Sequence, residues 1–247
     1  MRGRNGKIAK IFFYLTAVQK CAACKKRLDK DESSLCFDCL KTYEEAKTRN
    51  CSVCSKPLPE CSCQNYYLKT HCVKGLSKLV RYNSGDSKDV IRSLIYLMKY
   101  KNRRDLLEFI SSDMAESVKY SLQLPGDTIV THVPNRKVAI YNRGFDHGEV
   151  LARAVAEKLG YEYAPLLRSL SKKPQKNFTL DKRYGNARFE LIAEPDLKEK
   201  CVLIVDDVVT SGASMGNSAF LIRSLGAKNI YGASIAIAYR DNKIFSK

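Results

Sequence analysis

The most constraining feature of the sequence is the stretch Val202–Ser214, VLIVDDVVTSGAS, in which an apolar run meets two adjacent aspartates. The run Cys201–Asp206 is rich in β-branched residues, which predicts a strand buried on both faces, as in a parallel sheet. Open α/β sheets bind their ligands beyond the carboxyl ends of the strands. We therefore expect Asp206 and Asp207 to lie at a ligand-binding edge.

The turn after the aspartates is small and rich in hydroxyl groups, and it leads into a predicted helix. Its residues are Thr210, Ser211, Gly212, Ala213 and Ser214. Backbone N–H groups and hydroxyls at a helix N-terminus form an anion site. The neighbouring carboxylates can accept hydrogen bonds from sugar hydroxyls, or one of them can face a metal. A sugar site beside a phosphate site describes a ribose 5-phosphate, whereas the plainer alternative is a surface turn.

The chain from residue 75 to 247 reads as alternating strands and helices. We predict strands at Leu76–Tyr82, Asp127–Pro134, Cys201–Asp206 and Asn229–Arg240. We predict helices at Asp89–Tyr100, Leu106–Ser121, from Asp146 as N-cap to Gly160, and from about Ser214 to Leu225. This alternation predicts an α/β fold with a parallel sheet covered by helices on both faces.

Nine of the ten cysteines precede residue 73, and eight of them form close pairs. The pairs are Cys21 with Cys24, Cys36 with Cys39, Cys51 with Cys54, and Cys61 with Cys63. Two such pairs complete a tetrahedral sulfur cage for Zn²⁺, so residues 21–66 predict a double zinc ribbon of small knuckles that fold around metal. A disulfide framework is the alternative, and it would require an exported protein.

The ligand pairing within this region has more than one solution. The pairs can combine sequentially, first with second and third with fourth, or in a cross-braced manner. Because Cys61-S-Cys63 is a tight pair, His71 or Cys72 could replace one ligand of the second site. Otherwise we interpret Cys72 and Cys201 as ordinary small buried residues.

The charge of the chain favours a polyanionic partner. Its 247 residues include 43 basic and 26 acidic side chains, for a net charge of +17, spread over the whole chain. Residues 1–20 combine basic and apolar side chains, and we expect an amphipathic helix that docks on the protein or contacts a partner or a membrane surface peripherally. No stretch is long enough to span a bilayer. We expect a cytoplasmic protein.

The stretch VLIVDDVVTSGAS resembles the phosphoribosyl pyrophosphate (PRPP) motif of type I phosphoribosyltransferases. In that family the acidic pair contacts the ribose hydroxyls and the loop holds the 5′-phosphate. The resemblance implies a PRPP-binding set made of Asp206, Asp207, Val208, Val209, Thr210, Ser211, Gly212, Ala213 and Ser214. It also implies Mg²⁺ bound together with PRPP.

Other segments narrow this resemblance to the ComF family, which is linked to natural competence and DNA uptake. They are the cysteine pairs, SLIYLMKYKNRRDLL, HVPNRKVAIYNRGFDHGEVLA and PQKNFTLDKRYGNARFEL. The resemblance implies that Arg136 and Lys137 contact the diphosphate. It also implies a basic hood over Ser171–Phe189, with Gln175, Lys176, Lys182, Arg183 and Arg188. We interpret His147 as a surface helix residue.

The resemblance and the net charge lead to one preferred function and one alternative. We expect a PRPP-binding protein that acts in DNA uptake by binding single-stranded DNA in the cytoplasm, with a helicase-like competence protein as a possible partner. The alternative is an active phosphoribosyltransferase that transfers ribose 5-phosphate to an acceptor and releases pyrophosphate. The catalytic residues of such a transfer are unknown from the sequence.

The cysteine pattern generates a direct test. Metal analysis of the purified protein is expected to give close to two Zn²⁺ per chain, because two complete tetrads of thiolate ligands are present. A value near one Zn²⁺ per chain would contradict the second predicted site, and a metal-free protein would contradict both sites.

Overall fold

The structure is a computed structural model that describes residues 19–83, 85–101, 103–170, 188–192 and 195–238. In chain order, its helices are α1 (Phe37–Lys47), α2 (Tyr66–Thr70), α3 (Lys88–Tyr100), α4 (Arg104–Ser121), α5 (Lys137–Arg143), α6 (His147–Leu159) and α7 (Ala213–Ser224). The strands are β1 (Val73–Arg81), β2 (Ile129–His132), β3 (Glu162–Tyr163), β4 (Leu167–Ser169), β5 (Phe189–Leu191), β6 (Cys201–Val209) and β7 (Asn229–Ile237). Single 3₁₀ turns span Leu58–Glu60 and Gly85–Ser87. Of the predicted helix over residues 1–20, residues 1–18 lie outside the described ranges.

Five strands form the main sheet in the order β1-β7-β6-β2-β3, and every neighbouring pair is parallel. β6 lies at the centre of this sheet. Its Val205 is opposite Ala233 of β7 on one side and His132 of β2 on the other. The predicted parallel α/β architecture is therefore confirmed. β4 and β5 form a separate antiparallel pair.

The side chains of β6 alternate between two apolar layers, as the pleat of a strand requires. Leu203 and Val205 pack in the layer that contains buried residues of α3, α4 and α6. Val202 and Ile204 pack in the other layer, which contains buried residues of α7. Because both faces are covered, β6 consists of uninterrupted apolar residues until the aspartates.

Local signals set the ends of α6. Asp146 is its N-cap, and the Asp146 carboxylate accepts hydrogen bonds from the backbone N–H groups of Gly148 at 2.9 Å and Glu149 at 3.4 Å. Gly160 ends the helix with a φ of 72°, the left-handed conformation that favours glycine at a C-terminus. Both predicted boundaries are confirmed, and they fix where the N-terminus of α6 meets the sheet edge.

The cysteine-bearing segment shares its core with the sheet, which differs from the expectation that knuckles fold around metal in place of a core. Cys21 and Tyr43 are fully buried in the layer of α3 and α4. Leu58 and Cys61 are fully buried in the layer of α7. The segment therefore packs one cysteine group against each face of the main sheet.

The architecture brings three polar turns to one edge. β2 and β6 are parallel neighbours, so their carboxyl ends lie side by side. β2 leads through residues 133–136 into α5, and β6 leads through residues 210–212 into α7. The N-terminus of α6 meets the same edge through Asp146, because Asn135 donates its backbone N–H to the Asp146 carboxylate at 3.1 Å.

The described helices are short or strongly polar. The longest of them, α4, has 18 residues and carries charged side chains in every turn. Within the part of the chain that the structure describes, no helix combines the length and the apolarity needed to cross a membrane.

Candidate functional site

A cavity of about 420 Å³ opens at the carboxyl edge of β6 and β2. Of the residues that the sequence predicts to bind ligand, the cavity lining includes Asp206, Asp207, Val208, Thr210, Ser214 and Arg136. Four other predicted residues of this stretch are buried and do not line the cavity: Val209, Ser211, Gly212 and Ala213. Lys137 is exposed at the start of α5 and also lies outside the lining. The cavity therefore brings together the acidic pair, two loop hydroxyls and one of the two predicted diphosphate contacts.

The carboxylate of Asp207 is the electrostatic centre of this cavity. Its Oδ2 lies 2.8 Å from the Lys99 ammonium and 2.7 Å from His147 Nε2. Lys99 comes from the last turn of α3 and His147 from the first turn of α6, so two helices converge on one buried oxygen. A buried carboxylate requires such partners, because the loss of hydration otherwise outweighs any gain from folding.

The interpretation of His147 as a surface helix residue is wrong, since the side chain is buried with 7% of its surface exposed. Its Nδ1 lies 2.7 Å from the Arg143 guanidinium, which can only donate a hydrogen bond. Nδ1 is therefore the acceptor, and Nε2 carries the proton that is donated to Asp207. This hydrogen bond orients the Asp207 carboxylate.

The two adjacent aspartates have opposite ionisation behaviour. Burial raises the pKa of Asp206 well above its ordinary value, and the charge of Asp207 raises it further. Burial also acts to raise the pKa of Asp207, but the Lys99 ammonium and the hydrogen bond from His147 outweigh it and lower that pKa. The folded chain thus concentrates negative charge on Asp207 and resists the ionisation of Asp206.

A second buried carboxylate, Asp146, fixes the turn that follows β2. Its Oδ1 accepts a hydrogen bond from the Asn135 side chain at 2.5 Å, and its Oδ2 lies 3.6 Å from His132 Nε2. Burial opposes the charge of Asp146, but the contacts with His132 and Asn135 lower its pKa. The segment containing Arg136 is therefore held against α6, with Arg136 directed to the cavity lining.

The loop between β6 and α7 has the geometry of an anion site. Gly212 adopts a φ of 84°, and the Ala213 backbone N–H that follows donates to Ser211 Oγ at 3.3 Å. α7 begins at Ala213, so its first N–H groups and the positive end of its dipole lie beside the cavity. A phosphate would find donors here without any lysine or arginine from the loop itself.

The predicted hood falls mainly on residues outside the description. Gln175, Lys176, Lys182 and Arg183 lie among residues 171–187, which are not described, whereas Arg188 directly precedes β5. Phe189 of β5 lines the cavity, as does Ser169 of β4. The β4–β5 pair therefore flanks the cavity.

The cysteines are arranged as two tetrads, Cys21 with Cys24, Cys36 and Cys39, and Cys51 with Cys54, Cys61 and Cys63. Within each tetrad the four Sγ atoms lie within 4.8 Å of one another. The Cys24–Cys36 and Cys54–Cys61 sulfur distances are 3.6 and 3.4 Å. Sulfurs around a tetrahedral Zn²⁺ are about 3.8 Å apart, as bonds of about 2.3 Å dictate. Both tetrads therefore fit a structural Zn²⁺, and the sequential pairing matches the geometry.

The two tetrads begin with the same knuckle. Lys25 and Ser55 each follow the second cysteine of a C-x-x-C turn, and each adopts a positive φ, 68° and 59°. The backbone N–H groups of Cys21 and Cys51 donate five residues ahead, to the carbonyls of Lys26 and Lys56, both at 2.8 Å. Backbone hydrogen bonds to the sulfur oppose the effect of burial and lower the pKa of Cys21 to about 6, whereas burial raises the pKa of Cys36 and of Cys39 in the same tetrad.

The remaining candidate ligands are outside these tetrads. His71 stacks on the Tyr67 ring at a centroid distance of 3.8 Å. Cys72 is exposed, so its interpretation as a buried residue is wrong, whereas Cys201 is buried as expected. Cys72 lies immediately before β1 with a φ of 67°, and this backbone turn directs its side chain away from the core.

Sequence reasoning missed four residues that shape the cavity: Lys99, Asn135, Arg143 and His132. Lys99 lies in the last turn of the helix predicted at Asp89–Tyr100, and nothing in its sequence neighbourhood indicates a contact with Asp207, which is 108 residues further along the chain. Asn135 and Arg143 are polar residues of the segment HVPNRKVAIYNRGFDHG, so their positions in that segment could have indicated a role at the site.

The opposite pKa shifts of the aspartates predict opposite effects of substitution. A raised pKa means that Asp206 costs stability once the pH exceeds its ordinary value of 3.8, so Asp206→Asn is expected to stabilise the unliganded protein at pH 7 by about 1 kcal/mol. Asp207 has a lowered pKa and contributes stability above its ordinary value of 3.8. Asp207→Asn is therefore expected to destabilise by about 1–3 kcal/mol, because Lys99 loses its partner.

Urea unfolding of metal-loaded protein measures both effects, each against wild type at the same pH. The gain of Asp206→Asn should vanish as the pH falls through the folded pKa of Asp206 towards 3.8, and the loss of Asp207→Asn should shrink below pH 3.8. Equal signs for the two substitutions at pH 7 would contradict the assigned charge distribution.

Comparisons with known proteins agree with this geometry. Residues 146–243 match the model of the phosphoribosyl transferase domain. The chain is 26% identical to competence protein ComFC of Streptococcus pneumoniae over 207 residues, which cover 82% of this chain and 87% of that protein. It is 22% identical to competence protein F of Haemophilus influenzae, over 79% of this chain and 93% of the other.

A purine phosphoribosyltransferase structure from Pyrococcus horikoshii is 20% identical, covers 53% of this chain and 72% of its own, and has a TM-score of 0.36. The sequence similarities and the parallel sheet confirm the predicted fold class. The chain is therefore similar to the ComF-type competence proteins, and it has a phosphoribosyltransferase-type α/β fold preceded by two cysteine knuckles that fit structural Zn²⁺.

Proposed function

We propose that this chain binds PRPP together with Mg²⁺ in the cavity at the carboxyl edge of β6. The observation that carries the proposal is the convergence of Asp206, Asp207, Thr210 and Ser214 on one cavity of about 420 Å³. This volume lies in the range of small-molecule sites. The family resemblance identifies the same four residues as part of a PRPP motif, so chemistry and geometry point to one ligand.

The proposed roles follow from charge and position. The carboxylates of Asp206 and Asp207 accept hydrogen bonds from the ribose hydroxyls, and the loop with the N-terminus of α7 binds the 5′-phosphate. Mg²⁺ bound to the diphosphate favours ionised Asp206, because an added cation offsets the charge of the pair. Arg136 lines the cavity and is the better candidate than Lys137 for the diphosphate contact.

Calorimetry with PRPP and Mg²⁺ tests the site. Asp206→Ala/Asp207→Ala is expected to weaken binding at least tenfold, because each lost charged hydrogen bond is worth about 1.5–3 kcal/mol. Glu44→Ala/Glu45→Ala is the matched control, since it removes an adjacent, exposed acidic pair on α1 outside the cavity. Unchanged affinity in the aspartate variant would refute the assignment.

We further propose that the protein acts in DNA uptake by binding single-stranded DNA in the cytoplasm, with a helicase-like protein as partner. The proposal is supported by the similarity to competence proteins and by the net charge of +17. A specific surface also supports it. Tyr96 and Tyr100 are exposed on α3 with ring centroids 4.8 Å apart, and the Arg143 guanidinium lies 5.0 Å over Tyr100. Such rings and cations stack on bases.

Fluorescence anisotropy with a labelled oligothymidine measures this binding. Affinity is expected to fall steeply between 50 and 200 mM salt, because bound phosphates release counterions. Tyr96→Ala/Tyr100→Ala should weaken the affinity for the oligothymidine about tenfold, which corresponds to the loss of one stacked base. Tyr66→Ala/Tyr120→Ala removes two other exposed tyrosines as a control. Salt-insensitive or undetectable binding by the wild-type protein would contradict the proposal that it binds single-stranded DNA.

The division of the chain is also part of this proposal: an N-terminal helix over residues 1–20, a double zinc ribbon over 21–66 and a phosphoribosyltransferase-like domain over 75–247.

Transfer of ribose 5-phosphate to an acceptor stays the alternative activity. Pyrophosphate release across a panel of acceptors distinguishes it from binding alone.

A further inference from the structure

The loop that follows β6 rests on the short segment that follows the second cysteine tetrad. Asn65 is 1% exposed, and its Nδ2 donates a hydrogen bond to the Ser211 carbonyl at 3.0 Å. Its Oδ1 accepts the Leu68 backbone N–H at 2.9 Å and so caps α2. One buried amide thus joins the start of α2 to the middle of the loop, 146 residues further along the chain.

The backbone of the loop and of α7 approaches this segment so closely that a side chain at either of two glycines would crowd it. A Cβ on Gly212 would lie 3.0 Å from Leu68 Cγ and 3.1 Å from the Asn65 side chain. A Cβ on Gly216 in α7 would lie 2.8 Å from the Tyr67 ring. The Tyr67 hydroxyl also contacts Asn217 Oδ1 at 2.6 Å. The loop and the first turns of α7 are therefore seated on α2.

The opposite end of the same segment belongs to the second tetrad, since Asn65 follows Cys63 by two residues. Lys78 of β1 is 1% exposed, and its ammonium donates to the carbonyls of Cys61 at 2.9 Å and Cys63 at 2.7 Å. The ammonium also lies 3.1 Å from Cys61 Sγ. A buried lysine requires negative charge nearby, and four thiolates around a Zn²⁺ carry a net charge of −2.

We propose that Asn65 is a positioning residue that holds the phosphate loop in its binding conformation, and that it does so when the second tetrad holds its metal. Cys61 and Cys63 would hold the metal and so be fixed in position, Lys78 donates hydrogen bonds to their carbonyls from the sheet, and Asn65 connects this segment to the Ser211 carbonyl. The proposal rests on the proposed PRPP site for its functional consequence, whereas the mechanical coupling stands on the contacts alone.

Hydrogen exchange of the full chain, followed by mass spectrometry, tests the coupling without any ligand. Cys24 and Cys54 are equivalent exposed ligands of the two tetrads, so Cys24→Ser and Cys54→Ser form a matched pair. Each is expected to reduce the zinc content by about one per chain. Only Cys54→Ser should accelerate exchange of the amides of residues 210–216, while residues 151–159 of α6 stay unchanged.

A second pair of variants isolates Asn65 from the metal. Asn65→Ser keeps a residue that caps helices well but cannot reach the Ser211 carbonyl. It is expected to retain zinc and to accelerate exchange of residues 210–216. Asn50→Ser makes the same change at an exposed position beside Cys51 and should have no effect. The affinity of Asn65→Ser for PRPP should fall about three- to tenfold, which corresponds to the free energy of one hydrogen bond.

The outcomes separate this proposal from the proposed function. Faster loop exchange in both Asn65→Ser and Cys54→Ser supports the coupling even if wild type binds no PRPP, a result that would overturn the PRPP site alone. Equal exchange in Cys24→Ser and Cys54→Ser, or an unchanged loop in Asn65→Ser, overturns the coupling while leaving PRPP binding by wild type intact.

Discussion

Two carboxylates at the end of a central, doubly covered strand have to be compensated before this sheet can form. The compensation comes from α3 and α6, which direct Lys99 and His147 to the same oxygen of Asp207. Arg143 then fixes the tautomer of His147, and Asn135 and His132 fix Asp146 beside it. The positions of three helices relative to β6 thus depend on how one negative charge is neutralised.

Asp206 is the less compensated member of the pair, although its Oδ1 accepts the Asp207 backbone N–H at 2.8 Å. The folded chain holds its pKa above the ordinary range by burial and by the charge of Asp207. A site of this kind is built for a ligand that supplies positive charge or hydrogen-bond donors. The proposed Mg²⁺ and ribose hydroxyls would supply both.

The cysteine segment and the α/β fold are mutually dependent. Tyr43 and Leu58 are buried in the two layers of the main sheet, and Lys78 of β1 sits against the second tetrad. Asn65 then reaches the loop that begins α7. The knuckles are therefore part of the same core as the sheet, and the segment after them contacts the loop between β6 and α7.

The sequence by itself determined the features that depend on local periodicity and short-range chemistry. These include the buried strand before Asp206, the caps of α6 at Asp146 and Gly160, the glycine-bearing turn, and the two cysteine groups. Tertiary structure alone decided that His147 faces inward, that Cys72 is exposed, and which partners Lys99, Asn65 and Lys78 contact. The physical reason is distance along the chain: Lys99 meets Asp207, and Asn65 meets Ser211, only after the sheet order is set. Long-range electrostatic compensation leaves no local pattern, because any surface lysine or asparagine has the same sequence signature.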